Sequence, residues 1–141
     1  MDTILKSWSE FTYVLEKISI VTRKVKENYN KDMSNEFNNF YSSIRKLNNS
    51  LLNVYYYNKK GNDPKLDLTS FAKTTLHPEE VNNLSDFNYF LTDVKNKIYP
   101  CFEYIQSNFN KSTESTLLEL IKSINNFKEN LNIVIYITNN K

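Results

Sequence analysis

Apolar residues recur along this chain at alternating steps of three and four, in four separate runs. The first run is Ile4, Trp8, Phe11, Leu15, Ile18, Thr22, Val25 and Tyr29, with Thr22 as its one polar member. The second is Met33, Phe37, Phe40, Ile44, Leu47, Leu51 and Val54. The third is Leu84, Phe87, Leu91, Val94, Ile98, Cys101 and Ile105, and the fourth is Leu117, Leu120, Ile124, Phe127, Leu131 and Val134. Such spacing keeps one stripe of a helix facing a partner helix at a shallow crossing angle. Flanking apolar residues widen the stripes: Val14 and Val21, Phe90 and Phe102, Leu118 and Ile121. A wide stripe suits a globular bundle better than a two-stranded coil.

The pattern therefore predicts an all-α fold, a four-helix bundle forming a single domain over 1–141. The helices are expected at about 3–29, 33–57, 79–109 with a kink at Pro100, and 113–137. The breaks support these limits. Asn30-Lys31-Asp32 is a short turn with Asp32 or Ser34 as cap. His77-Pro78-Glu79-Glu80 places proline and two acids where a helix start tolerates them. Lys111-Ser112-Thr113-Glu114 opens the last helix, and Thr116 with Glu119 repeats the capping-box spacing. Short turns make the first two helices antiparallel neighbours, and likewise the last two. Pro100 removes a backbone donor and is expected to kink or split the third helix. The loop 58–77 is long enough to run the length of a helix, so the pattern allows both a simple up-down bundle and one long crossover. Leu66, Leu68, Phe71, Ala72 and Leu76 give that loop the spacing of a short docked helix.

Composition sharpens the fold class. One glycine, Gly61, and three prolines in 141 residues are far below what sandwiches, barrels or dinucleotide-binding folds use at their turns. The hydrophobic fraction of 40% supplies a core. The 22 asparagines are scattered through periodic segments and do not form a polar tract. A net charge of +2, from 18 basic and 16 acidic residues, disfavours a nucleic-acid partner. The start, MDTILKSWSEF, lacks a basic region followed by an apolar run, and no apolar stretch is long enough to span a bilayer. A cytoplasmic protein is expected, and the single cysteine fits a reducing compartment.

Candidate chemistry is sparse. A di-iron carboxylate bundle needs Glu-x-x-His on two helices, and the only histidine, His77, precedes a proline in a loop. Cys101 lies on the third stripe, where a buried thiol is unreactive. Glycine-rich phosphate loops are missing. Glu10, Glu16, Glu27, Glu103, Glu114 and Glu119 lie mostly off the stripes, as solvated carboxylates do. No catalytic residue, metal site or cofactor is assigned.

The surface is more informative. In Asn53-Val54-Tyr55-Tyr56-Tyr57-Asn58-Lys59-Lys60, three consecutive tyrosines sweep half of a helix circumference and cannot share one core. Either Leu68, Phe71 and Leu76 fold back over them, or Tyr55, Tyr56, Tyr57, Lys59, Lys60 and Phe71 form a partner-binding edge. Arg23, Lys24 and Lys26 on the first helix and Arg45 and Lys46 on the second are basic-patch candidates, and they are as readily solvated helix surface. Leu131–Ile137, LNIVIYI, is apolar on nearly every helical side and is expected to be buried in the bundle or against another chain. The leading reading is a non-enzymatic protein–protein interaction module: an adaptor, an inhibitor or immunity-type accessory protein, or a subunit of a complex. Its partner would be another protein or a second copy of the chain. Peripheral membrane binding through basic ends and exposed aromatics ranks second, and small-ligand carriage near the Pro100 kink third.

Overall fold

The computed structural model describes residues 2–29, 34–59, 81–109 and 115–139, with the side chains of 2–12, 14, 28, 29, 34, 54–59, 101, 104, 105, 108 and 109 excepted. Four helices result: α1 (Asp2–Tyr29), α2 (Ser34–Lys59), α3 (Leu84–Phe109) and α4 (Ser115–Asn139). The fold is all-α, and the four helices pack together as the stripes predict. Leu15, Ile18, Val25, Phe37, Phe40, Leu47, Leu51, Ile98, Leu120, Phe127 and Val134 all lie in the core. Each such side chain withdrawn from water contributes roughly 1.5–3 kcal/mol.

The helix pairings settle the topology that the sequence left open. α2 packs most extensively against α4, α4 against α3, α1 against α2, and α1 more lightly against α3. The helices thus ring the core in the order α1, α2, α4, α3. Side-chain contacts give directions. Asn88 meets Ile135 and Thr138, Tyr99 meets Asn132, and Gln106 meets Asn125, so α3 and α4 are antiparallel. Phe40 meets Phe127 and Ser50 meets Ser123, so α2 and α4 are antiparallel as well. It follows that α2 and α3 are parallel and diagonal. Phe37 and Phe87, each near the start of its helix, touch across the centre edge-to-face at 5.7 Å. The end of α2 and the start of α3 therefore lie at opposite ends of the bundle, which excludes a simple up-down order of the four helices.

α3 begins later than the proline suggests, at Leu84, with residues 81–83 non-helical. The cap is Asn83, whose Oδ1 accepts the Asp86 N–H at 2.7 Å while its carbonyl accepts the Phe87 N–H at 3.0 Å. Asp86 reaches back to accept the Asn82 N–H at 3.2 Å. This reciprocal arrangement satisfies donors that a helix start leaves open. Pro78, Glu79 and Glu80 lie outside the described residues. α4 begins at Ser115, and Thr116 lies inside it with Oγ1 buried and unpartnered, so it does not serve as a cap.

Pro100 does not split α3. It is exposed, and the unused carbonyl one turn before it belongs to exposed Asn96, where water can satisfy it. Phe102, expected as a flank of the third stripe, is fully buried. Its ring lies 5.7 Å from Phe127, whose other neighbour Phe40 is also at 5.7 Å. These three rings fill the middle of the core.

The buried polar residues Thr22, Ser43, Ser50, Ser123 and Thr138 each have a hydrogen-bond partner. Thr22, the polar member of its stripe, donates to the Ile18 carbonyl at 2.7 Å. Ser43 donates to the Phe40 carbonyl at 2.6 Å. Ser50 and Ser123 share a 2.6 Å hydrogen bond across the α2–α4 interface. In the terminal LNIVIYI run, Leu131 and Val134 are buried and Ile135 and Ile137 are partly buried. Ile133 and Tyr136 face outward at 40% and 71% exposure.

Candidate functional site

The residues singled out from the sequence fall in three places. Tyr55, Tyr56, Tyr57 and Lys59 form the end of α2, but their side chains lie outside those described. Lys60 and Phe71 lie outside the described residues altogether, as do Leu66, Leu68, Leu76 and His77. The basic candidates are described, and the structure divides them. Arg23 donates to the Tyr41 hydroxyl at 2.6 Å and lies over its ring at 5.4 Å. Lys26 donates to Asn38 Oδ1 on the same face of α2. Lys24 turns to the other side of α1 and donates to Asn82 Oδ1 at 3.3 Å. Arg45 and Lys46 are both exposed on α2, but only Arg45 faces α1.

The α1–α2 hairpin builds a cavity from these pieces. Its antiparallel register puts Arg23 beside Tyr41 and Lys26 beside Asn38. The same register sets Ser19 opposite Arg45 and Glu16 opposite Asn48. The cavity has a volume of about 450 Å³ and is open to solvent. Tyr13, Glu16 and Ser19 line it from α1, and Tyr41, Arg45 and Asn48 from α2. Leu15 and Ile44 form its apolar floor, continuous with the core. Tyr13 is 58% exposed and carries Lys17 over its ring at 4.5 Å.

Asn48 Oδ1 is the least settled atom in this cavity. It is buried and accepts no hydrogen bond. An acceptor withdrawn from water without a donor costs roughly 1–3 kcal/mol. Among the described residues, Arg23, Lys26 and Arg45 have no carboxylate partner, whereas on α3 and α4 Lys97 pairs with Asp93 at 3.1 Å and Lys122 approaches Glu119 at 3.9 Å. Sequence reasoning found the two arginines and missed Tyr13, Ser19, Tyr41 and Asn48. The available signal was their spacing: Tyr41, Arg45 and Asn48 share one face of α2, and Tyr13, Glu16 and Ser19 share one face of α1.

A second polar cluster lies on α3–α4. The Tyr99 hydroxyl donates to Asn132 Oδ1 at 3.2 Å. Lys95 and Lys128 flank its ring at 5.4 and 5.1 Å, and the ring packs on Phe102 at 6.2 Å. Burial pushes the Tyr99 hydroxyl above its ordinary value of 10.0, and the hydrogen bond to Asn132 partly opposes that rise. The folded state thus favours the protonated phenol. Its contribution to stability is intact below about pH 10 and is lost as pH climbs through the raised folded value. Urea midpoints of the wild type are expected to fall more steeply above about pH 10 than those of Tyr99→Phe. Parallel curves for the two proteins would remove this assignment.

Among the described residues, no group of three or more His, Cys, Asp or Glu side chains is placed to hold a metal ion. None of the described helices is long and apolar enough to cross a membrane. No family model, curated protein or solved structure matches the chain. Function is therefore argued from the surface of the bundle itself.

Proposed function

We propose that this chain is a non-enzymatic protein–protein interaction module of the cytoplasm, acting as an adaptor, an inhibitor or immunity-type accessory protein, or a subunit of a complex. The observation that carries this reading is the solvent-open α1–α2 groove, where Tyr13, Tyr41 and Arg45 converge and Arg23 holds the Tyr41 hydroxyl. Tyrosine and arginine dominate the energetic hot spots of protein interfaces, because each offers apolar area and a directed polar group together. Tyr89, Ile133 and Tyr136 add exposed apolar area on α3–α4, at 79%, 40% and 71% exposure. The same groove volume falls in the range of small-molecule pockets, so carriage of a small ligand is the second reading. That cavity lies between α1 and α2 and not at Pro100, beside which Ile98 and Phe102 are fully buried.

The test is stoichiometric. Immobilised chain is used to capture proteins from the native host extract, and the captured species is purified and recombined with it. Light scattering behind size exclusion is expected to show a complex of defined mass. A chain that stays monomeric, captures no protein and retains a small molecule in a native mass spectrum would support carriage instead.

A further inference from the structure

We propose that the α1–α2 cavity holds a free α-amino acid with a large apolar side chain, its carboxylate on Arg45 and its ammonium on Glu16. The assignment rests on the small-ligand reading of this cavity and leaves the interaction-module reading to its own test.

The charges on the cavity walls carry it. Of the lining residues, Arg45 is cationic and Glu16 anionic, and they stand on opposite walls, Arg45 on α2 and Glu16 on α1. Among the described residues, neither makes an ion pair or a side-chain hydrogen bond, so the two charges lie beyond ion-pair distance of each other. The register sets Ser19 opposite Arg45, and Glu16 is three residues from Ser19, an offset of about 4.5 Å along the axis. One positive and one negative group thus face each other diagonally across a solvent-open gap. A ligand with a single charge satisfies one wall and leaves the other to water. A ligand carrying both charges close together makes two charge-assisted contacts at once.

Depth selects the rest of the ligand. Glu16 and Arg45 are exposed at the rim, whereas Leu15 and Ile44 at the floor are 1% and 2% exposed. An α-amino acid has the same layout. Its ammonium and carboxylate leave one carbon, and its side chain leaves that carbon away from both. With the charges at the rim, an apolar side chain lies on the floor between Tyr13 and Tyr41, whose rings offer apolar faces and polar tips. The planar guanidinium of Arg45 suits a carboxylate, which it can hold through two parallel hydrogen bonds. An ω-amino acid keeps its only apolar part between its charges and leaves the floor uncovered. A residue inside a peptide has given up both charges to the chain, and a chain end keeps one, so a free amino acid is the class recognised. The cavity volume of about 450 Å³ lies in the range of small-molecule sites.

The probe is L-phenylalanine, titrated into the full chain and followed by amide chemical shifts. It is expected to bind at least tenfold more tightly than 3-phenylpropionate, which lacks the ammonium, and than phenethylamine, which lacks the carboxylate. Arg45→Gln is expected to bring phenylalanine down to the affinity of phenethylamine, and Glu16→Gln to that of 3-phenylpropionate. Lys46→Gln, outside the cavity, is expected to change binding less than twofold. 6-Aminohexanoate, which separates the two charges, is expected not to compete. Melting followed by circular dichroism is expected to match wild type for these exposed-site changes, so a loss is not one of folding. Equal binding of phenylalanine and its two singly charged analogues would overturn the proposal, as would equal losses in Arg45→Gln and Lys46→Gln. So would no binding of phenylalanine up to about 10 mM, the result expected if Glu16 and Arg45 close on each other. Should a singly charged analogue bind most tightly, the amino-acid assignment fails while carriage of a small ligand stands. Capture of a host protein decides the module reading separately.

Discussion

Phe127→Ala is expected to lower the free energy of unfolding by about 3–5 kcal/mol, the cost of emptying an aromatic site in a packed core. Phe127 is fully buried and stands between two other rings, Phe40 and Phe102, each 5.7 Å away. Truncation removes the transfer energy of the ring. It also strands two aromatic partners, each such pair contributing roughly 0.5–1.5 kcal/mol beyond buried area. The surrounding helices cannot close the gap without moving α2 and α3 toward α4 together, because the three rings come from three different helices. Equilibrium urea unfolding measures the change, read from the midpoint at unchanged slope. The melting temperature is expected to fall by roughly 10 °C or more. Tyr89→Ala serves as the control, since that side chain is 79% exposed and its loss is expected to stay within about 0.5 kcal/mol. A loss at Phe127 of less than about 1.5 kcal/mol would mean that the ring is not at the centre of the core.

That the centre is built from Phe40, Phe102 and Phe127 was only partly legible in the sequence. Phe40 and Phe127 sit on their stripes, and a stripe is a local property that periodicity reports directly. Phe102 lies one step off its stripe, after a proline. Its burial depends on the space that α2 and α4 leave at that level, which no single helix encodes. Leu118 shows the reverse: it flanks the fourth stripe yet is 39% exposed, while the polar Ser123 is buried against α2. The side from which α2 approaches α4 decides between them. Ring order is nonlocal in the same way. Short turns made α1–α2 and α3–α4 antiparallel pairs, but only contacts such as Phe37 with Phe87 reveal that α2 and α3 run parallel across the centre.

The groove was legible in fragments. Arg23 and Arg45 stood out as charges, but a charge list carries no register. The hydrogen bond from Arg23 to Tyr41 supplies the register, and the register places Asn48 and Ser19 in the same cavity. Before the antiparallel offset is known, each of these polar residues reads as ordinary solvated helix surface. The start of α3 failed for a simpler reason: two start signals, Pro78 and Asn83 with Asp86, lie five residues apart, and the cap observed is the later one.

The buried serines lead to the second large prediction. Ser50→Ala and Ser123→Ala are each expected to cost about 1–2 kcal/mol, and the double variant no more than either alone. Each single change strands one hydroxyl in the most extensively packed interface of the bundle, where Ser50 and Ser123 now satisfy each other at 2.6 Å. The stranded hydroxyl has one escape, which is to turn back to the carbonyl one helical turn earlier, as Thr22 does with Ile18. That escape holds the expected cost in the lower part of the range for an orphaned buried group. Removing both hydroxyls leaves nothing to satisfy, so the coupling measured by the double-mutant cycle is expected to match one single loss, about 1–2 kcal/mol. Additive losses would mean that each serine acts alone through its own helix. Ser50→Leu separates packing from polarity: an added side chain at this close approach is expected to cost about 1–3 kcal/mol by overpacking, with or without the Ser123 hydroxyl. Small residues at 43, 50 and 123 would then act as spacers that hold α2 close to α4, and the same closeness keeps the α2 face carrying Tyr41, Arg45 and Asn48 turned toward α1.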